Sequence, residues 1–331
     1  MSRRKNTTLE LLKLFASYMV VFVHVSFPGT VGVSINALAR FAVPFFFIVS
    51  GFYSYRITPA QIRKRIAHLF GLLVSTVVLY TCWAVLSFVL KHDLQGLSEY
   101  FLQYRNLEKL RDLILFNVPV HDDHLWYILA ALYVYILFYL STLCHLREKY
   151  IYIASFLLLT LHLVLNEGLS FFGISVPNHI LRNFIFMGIP FFGAGLLIRK
   201  YKQQLVRLPS VVIPLSLIIG IAGTLLSCAG VGNKDLYLGS LFLLIAPVLI
   251  SLKYAERTYP PMLEALTGCS TGVYISHRIL SSIIGKGYAL FGIYAPFPIP
   301  VRIIHPLLTC IGSTLVSYAY VRVHDKIKAR K

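Results

Sequence analysis

A lysine and a histidine lie within the first apolar stretch of the chain, at Lys13 and His24. Ionisable side chains inside a membrane helix are costly, so they indicate function or internal pairing. Eleven residues make about three helical turns, so both side chains share one face and lie about 16 Å apart along the axis. An imidazole exchanges protons near neutral pH, which suits general-base chemistry. The spacing predicts a buried polar track with a titratable group near its far end.

Further ionisable side chains recur inside other apolar stretches. The short loop after the first stretch places Arg40 near the depth of His24. Buried charge of this kind has to pair internally or line a cavity. The pattern therefore predicts a polar layer in the middle and outer part of a helical bundle. Its other members come from later stretches: His124 with Trp126, Arg182, His277, and Arg302 with His305.

A basic patch lies on the segment between the second and third apolar stretches, where Arg63, Lys64, Arg65 and His68 follow one another closely. Arginine binds phosphate groups through paired hydrogen bonds, so this patch suits a phosphate-rich ligand. A role in setting membrane topology alone explains the same charges.

The composition excludes an ordinary soluble domain. Hydrophobic residues form 57% of the 331 residues, charged residues 13%, and the mean hydropathy is +0.72. A helix of about twenty apolar residues crosses about 30 Å of hydrocarbon. The sequence therefore predicts an all-α, polytopic membrane helical bundle. Its ten expected transmembrane helices cover about 9–27, 36–55, 67–90, 124–145, 150–166, 180–198, 209–230, 235–252, 266–288 and 300–321.

The placement of the positive charge explains the net charge of +18. With the N-terminus in the cytoplasm, the cytoplasmic segments hold twenty Lys and Arg residues and the outer loops hold five. This asymmetry is the positive-inside pattern, and it predicts that both termini are cytoplasmic. It also argues against a nucleic-acid partner, because no nucleic-acid-binding motif accompanies the charge.

The segment 91–123 is the one long outer loop. Its apolar residues recur every three to four positions, which predicts an amphipathic helix lying on the membrane surface. A simple connector is the alternative. No repeat or composition shift divides the chain, so residues 1–331 are expected to form a single integral-membrane domain.

Four stretches resemble the acyltransferase 3 family of bacterial membrane acyltransferases. They occur in the family's order, and together with the ten spans the likeness covers nearly the whole chain. The stretches are the His24 helix, Ala39–Phe52 with its aromatics before Ser50-Gly51-Phe52, His124-Leu125-Trp126-Tyr127, and Tyr274-Ile275-Ser276-His277.

The resemblance implies transfer of an acyl group, usually acetyl from acetyl-CoA, to a hydroxyl of an extracytoplasmic glycan or other cell-envelope acceptor. It also implies a multi-pass protein of the bacterial cell membrane, with His24 catalytic. Two positions depart from the family pattern. Lys13 stands where the family has arginine, and Arg65-Ile66-Ala67-His68 stands where it has a pair of arginines. Lysine keeps the charge but loses the planar fork.

These residues support a specific hypothesis for acyl transfer. His24 is the general base, or in a variant a transient acyl carrier, and Arg40 and His124 orient groups or stabilise the oxyanion. The other predicted site residues fall into two groups. Lys13, Arg63, Lys64, Arg65 and His68 bind the CoA phosphates, and Trp126, Arg182 and His277 contact the acceptor.

Each assignment has a structural alternative. In these alternatives His24 only satisfies a buried hydrogen bond, and His277 packs in the core. Arg40 is then a structural counter-charge or an interfacial anchor, and His124 with Trp126 forms part of an interfacial aromatic belt. Ser50-Gly51 is expected to allow close helix packing. Neighbouring loop positions suit zinc poorly, so no metal is expected at residues 121–124. The rival function is a transporter or flippase of a small polar or glycan substrate. The acceptor, the acyl group and the oligomeric state stay open.

Overall fold

The computed structural model describes residues 6–292 and 299–329, and in this part of the chain every regular element is helical. Arg3, Arg4 and Lys5, which contributed to the topology prediction, lie outside the described residues. The α-helices in chain order are α1 Thr7–His24, α2 Gly29–Leu38, α3 Ala42–Phe52, α4 Pro59–Leu90, α5 Leu94–Leu102, α6 Leu107–Phe116, α7 Trp126–Leu143, α8 Glu148–Leu163, α9 Asn178–Leu181, α10 Ile189–Lys200, α11 Lys202–Val206, α12 Val212–Val231, α13 Leu238–Lys253, α14 Pro261–Ala265, α15 Ser270–Leu290 and α16 Ile299–Ala329.

Side-chain caps explain where several helices begin. Asn6 precedes α1 and accepts a hydrogen bond from the Leu9 backbone N–H at 3.0 Å. Thr58 and Gln61 cap α4 reciprocally, and Pro59 occupies its first position. These groups satisfy backbone donors that have no partner within the helix. Thr58, Pro59 and Gln61 therefore determine where α4 begins.

Seven of the ten predicted spans coincide with segments that are long and apolar enough to cross a membrane. The chain is thus an all-helical membrane protein, while the count of ten and the cytoplasmic termini stay predictions. The seven segments are Thr7–His24, Gly29–Phe52, Pro59–Leu90, Asp123–Leu143, Glu148–Phe172, Val212–Val231 and Ile299–Lys328.

Two of the remaining three predicted spans, 235–252 and 266–288, are single helices with a property that sets them apart. α13 has only 16 residues and contains Pro247. α15 has 21 residues but carries His277, Arg278 and Lys286. These polar residues lower its hydropathy, although its length suffices for a span.

Several predicted spans differ from the structure in their bounds or their continuity; the third, for example, begins at Pro59 rather than at 67. The second span begins at Gly29 rather than at 36, and a 3-10 turn at Ala39–Phe41 interrupts it. The fifth continues through a π-turn at Val164–Gly168 and ends near Phe172. The sixth is broken after α9, before a π-turn at Phe184–Gly188 leads into α10. Periodicity alone does not show such interruptions, because the apolar pattern runs through them.

The chain forms two compact units. The first comprises residues 1–46 and 202–331, within the described range. In it α12 packs on α13, α15 packs on α16, and α1 packs on α15. Its core includes Leu14 and Val21 from α1 with Val273 from α15 and Cys310 from α16.

The second unit comprises residues 47–201. Aromatic contacts fill it, for example between Phe47 and Tyr127, whose ring centroids are 4.9 Å apart. A Cβ at Gly51 would overlap the carbonyl of Phe192 on α10, and one at Gly195 would overlap the carbonyl of Ile48. The expectation that Ser50-Gly51 allows close helix packing is therefore confirmed.

The segment 91–123 holds two short helices instead of one. α5 and α6 are separated by a 3-10 turn, and Asn106 caps the start of α6 by accepting from the Glu108 and Lys109 backbone N–H groups. Both helices expose apolar side chains, including Leu107 and Ile114. That α5 and α6 lie on the membrane surface stays a prediction. That the chain forms a single domain also stays a prediction.

Candidate functional site

Two histidines of the first unit lie side by side. His24 is the last residue of α1, and the centroid of its ring lies 5.4 Å from that of His277 on α15. His277 is fully buried, and its Nδ1 lies 2.7 Å from the carbonyl oxygen of Tyr274. Because a carbonyl only accepts, Nδ1 carries the hydrogen, and Nε2 of the neutral ring holds the lone pair.

The backbones of α1 and α15 are also joined near the middle of α1. Ser17 is buried, and its Oγ lies 3.0 Å from both the Lys13 and the Ser270 carbonyl oxygens. This contact holds α1 against the start of α15, two turns before the paired histidines. The predicted convergence of His24 and His277 is therefore real within this unit.

Arg40 lies in the 3-10 turn between α2 and α3 and forms a buried ion pair. Its Nη1 donates to Asp235 Oδ1 at 2.6 Å, and Asp235 is only 4% exposed. Its Nη2 donates to Asn36 Oδ1 at 2.8 Å and to Asn233 Oδ1 at 3.1 Å. Three side chains thus hold the guanidinium, and the carboxylate balances its charge.

This network extends to the end of α1. Asn36 uses its Nδ2 to donate to the Val23 carbonyl oxygen at 3.2 Å. Val23 immediately precedes His24, and carbonyls in the last turn of a helix have no partner within it. Asp235, Arg40 and Asn36 therefore form a chain of hydrogen bonds that fixes the backbone beside the predicted base.

A second polar cluster lies in the second unit. His124 is 1% exposed, and its ring centroid lies 4.8 Å from that of Tyr80 on α4. The Arg182 guanidinium lies 5.8 Å from the centroid of the Trp126 ring, close enough for a cation–π contact. Arg182 Nη2 lies 3.8 Å from Asp123 Oδ2, a loose ion pair. The predicted grouping of His124, Trp126 and Arg182 is thus present.

Two asparagines hold that cluster in place. Asn117 has a left-handed backbone, its Oδ1 accepts from the Phe184 N–H at 2.7 Å, and its Nδ2 donates to the Trp126 carbonyl oxygen at 3.3 Å. Asn183 caps the π-turn by accepting from the Ile185 and Phe186 N–H groups. Arg182 therefore lies at a break in the helix whose two sides are both anchored.

Comparison with known proteins decides the family. The family model described as an acyltransferase domain matches residues 6–322, nearly the whole chain. The chain belongs to the acyltransferase 3 family. It is therefore a membrane acyltransferase by family. No curated protein and no solved structure matches it.

The basic patch of this acyltransferase lies at the start of α4, and its members differ in how they are held. Arg63, Lys64 and His68 are exposed. Arg65 is half-buried: its Nη1 donates to Ser54 Oγ at 2.8 Å and to Tyr135 Oη at 3.0 Å, and its Nη2 donates to the Tyr53 carbonyl oxygen at 2.8 Å. Arg65 thus binds the protein, while its three neighbours face outward.

Three other predicted positions have partners in the first unit or lie at its surface. Lys13 forms an ion pair with Glu10 at 3.0 Å, one turn earlier on α1. His305 Nε2 lies 2.8 Å from Ser281 Oγ, a contact between α16 and α15. Arg302 is exposed. The predicted outer layer therefore does not gather all its members into one contact network.

Sequence reasoning missed two buried carboxylates in the acyltransferase. Asp235 begins a predicted span, and Glu167 lies in the π-turn after α8. An acidic residue at the end of an apolar stretch is the signal that each provides, since such a charge needs a partner. In the described residues, no group of three or more His, Cys, Asp or Glu side chains could hold a metal ion. The separate neighbours of His121 and His124, Tyr100 and Tyr80, agree with this finding.

Proposed function

We propose that this protein transfers an acyl group, acetyl in the simplest case, from acyl-CoA to a hydroxyl of an extracytoplasmic glycan or other cell-envelope acceptor. We place it in the bacterial cell membrane. The observation that carries the proposal is the family match over residues 6–322. The paired histidines in the first unit supply the acid–base group that such a reaction needs.

His24 is the general base in this mechanism. It takes the proton of the acceptor hydroxyl as that oxygen attacks the thioester carbonyl, which gives a tetrahedral oxyanion. The oxyanion collapses, the carbon–sulfur bond breaks, and the proton held by His24 passes to the leaving thiolate. His277 supports this role, because its ring lies beside that of His24 and its Nδ1–H is held by the Tyr274 carbonyl oxygen.

Arg40 acts by positioning in this proposal. Its two terminal nitrogens bind Asp235, Asn36 and Asn233, so its charge is already balanced. Through Asn36 it fixes the backbone at Val23 and hence the start point of the His24 side chain. His124, Trp126 and Arg182 are proposed to contact the acceptor, since aromatic faces and a loosely paired guanidinium suit hydroxyl-rich groups.

The donor site is proposed at the exposed side chains of α4. Arg63, Lys64 and His68 face outward and offer donors to phosphate, whereas Arg65 holds the loop before α4 to α7. Lys13 is the further predicted contact. We expect Arg63→Ala with Lys64→Ala to weaken acetyl-CoA binding to purified protein strongly and in a salt-dependent manner. Arg65→Lys should clearly lower the thermal stability of the protein and have a smaller effect on its affinity for acetyl-CoA.

A transfer assay tests the proposal directly. Membranes that contain the protein receive acetyl-CoA labelled in the acetyl group, and incorporation into the cell-envelope fraction is measured. His24→Gln should reduce incorporation by about a hundredfold or more, the usual contribution of a positioned base. His162→Gln is the matched control, because His162 is a fully buried histidine of the second unit with no proposed role. Equal activity in the His24 variant would refute the assignment, and substrate movement independent of acyl-CoA would favour a transporter.

A further inference from the structure

A cavity of about 280 Å³ lies within the second unit. It runs along α4 from Leu73 to Thr81, a distance of about 12 Å on the helix axis. Apolar side chains form its inner part, among them Val77 of α4 and Leu129 of α7. The volume approaches that of small-molecule sites in proteins, about 300 Å³ and above.

One end of the cavity is polar. His121 stacks on Tyr100, with 3.8 Å between ring centroids and 12° between planes. His121 Nε2 lies 2.9 Å from the Tyr100 carbonyl oxygen, so Nε2–H donates and Nδ1 holds the lone pair of the neutral ring. Tyr104 packs edge-on against His121, with centroids 5.1 Å apart. The lining therefore changes from apolar to polar along the length of the cavity.

Near pH 7 the polar side chains at this end of the cavity carry little charge, and that charge is negative. Burial lowers the pKa of His121, assisted by the positive charge of Lys109 and opposed by its hydrogen bond to Tyr100. Burial also raises the pKa of Tyr100 to about 12. Both groups are therefore neutral near pH 7. Asp122 is then the charged member of the lining, and no lysine or arginine belongs to it.

Exposed apolar side chains of α4 and α6 border the cavity. Ile114 of α6 lines the cavity and is also 64% exposed. Val78 of α4, next to the lining residue Val77, is 55% exposed. α4 is long and apolar enough to span a membrane, and exposed apolar side chains on such a helix meet hydrocarbon, so this side of α4 offers a chain from the bilayer an approach to the lining.

We propose that this cavity binds an amphiphile, with its hydrocarbon chain between Val77 and Leu129 and an uncharged, hydroxyl-bearing head group at His121 and Asp122. A carboxylate, a neutral imidazole and phenols exchange hydrogen bonds with hydroxyls, whereas a phosphate head group would need the cations that this lining lacks. Naming the amphiphile as a membrane-anchored acceptor rests on the proposed function; the binding site itself does not.

Photolabelling without any acyl donor tests the site. Two probes are compared, an alkyl glucoside and an alkyl phosphate. Their alkyl chains are equal in length, and each chain carries a diazirine. We expect saturable labelling of peptides around residues 73–81 and 113–133 by the glucoside. Val77→Phe should reduce it at least about tenfold, equivalent to about 1.4 kcal/mol. Val78→Phe is the matched control, because it adds the same ring on the neighbouring lipid-facing position and should leave labelling unchanged.

A head-group variant separates a built site from bulk lipid. Asp122 has a positive φ of 54°, which asparagine also tolerates, so Asp122→Asn should fold. It should raise labelling by the alkyl phosphate relative to the glucoside. Equal labelling by both probes in the wild type, or no effect of Val77→Phe, would overturn the proposal. Saturable glucoside labelling in a protein that lacks transferase activity would leave the cavity assignment standing and refute the proposed function alone.

Discussion

The two polar clusters use their arginines in opposite ways. Arg40 in the first unit is bound to Asp235 at 2.6 Å, and their side chains are 14% and 4% exposed. Arg182 in the second unit lies 3.8 Å from Asp123, and their side chains are 26% and 55% exposed. A largely buried ion pair that is hydrogen-bonded through both terminal arginine nitrogens holds structure, whereas a loosely paired guanidinium over an aromatic ring keeps its charge available to a ligand. Arg40 and Arg182, two arginines at similar predicted depth, therefore differ in how their charge is paired and in what that charge can bind.

Breaking the buried ion pair should give the largest effect. Asp235→Ala leaves Arg40 buried without its counter-charge, which costs about 3–5 kcal/mol. We expect a large fall in thermal stability in detergent and loss of acyl transfer. The double variant Asp235→Leu with Arg40→Met should recover much of the stability, because no charge stays buried. Asp123→Ala, the equivalent change in the second unit, should cost about 1 kcal/mol or less.

Replacing the partner of the predicted base should come next. His277→Asn keeps a donor for the Tyr274 carbonyl oxygen but removes the titratable ring. We expect transfer to fall about ten- to a hundredfold, with a changed pH–rate profile, since a positioned acid–base group contributes on this scale or more. An unchanged profile with a small loss of stability would assign His277 to packing alone.

The loosely paired arginine, Arg182, should show a moderate effect on substrate binding. Arg182→Lys keeps the positive charge but loses the flat contact with Trp126. We expect the acceptor KM to rise by about fivefold, in line with about 1 kcal/mol for a cation–π contact, while kcat changes little. The comparison fails if Arg182→Lys proves as destabilising as Asp235→Ala.

The smallest effect concerns acid stability outside the membrane. The pKa of His121 is lowered in the folded protein, so the unfolded chain binds more protons as the pH falls below the ordinary histidine value. Stability should therefore decline from about pH 6.5 downward to the lowered pKa. His121→Gln should weaken this decline, measured as the difference in Tm between pH 7.5 and pH 5. Tyr100 and Tyr104 contact the ring, the positive charge of Lys109 acts on it from outside the cavity lining, and all three residues stay unchanged in this variant.

The sequence predicted some of these features because they depend on local pattern. The helix that ends at His24 and the broad set of apolar segments follow from length and hydropathy. The proximity of His24 to His277 was expected from depth, and the grouping of Trp126 with Arg182 likewise. Depth can be predicted because each membrane span begins at one face of the bilayer, so the position of a residue along the span gives its depth.

Other features depend on pairing across the fold and could not be read from the sequence. Nothing local shows that Asp235 is the partner of Arg40, since any carboxylate at that depth would suit. The break at Arg182 and Asn183 is hidden because apolar residues continue on both sides. Asn106 divides the segment 91–123 into two helices, although its apolar period predicts one. Long-range partners and cap geometry decide these points.

The length of α4 gives the bilayer an influence on the proposed donor site. At 32 residues the helix is about 48 Å long, against about 30 Å of hydrocarbon. The excess at its start carries Arg63, Lys64 and His68 on a rigid rod rather than on a loop. A thicker membrane draws more of that rod into the head-group layer and brings the charges of the proposed donor site closer to the lipids. The apparent affinity for acyl-CoA should therefore fall as the lipid chains become longer, as it would in the presence of an inhibitor that competes for the donor site.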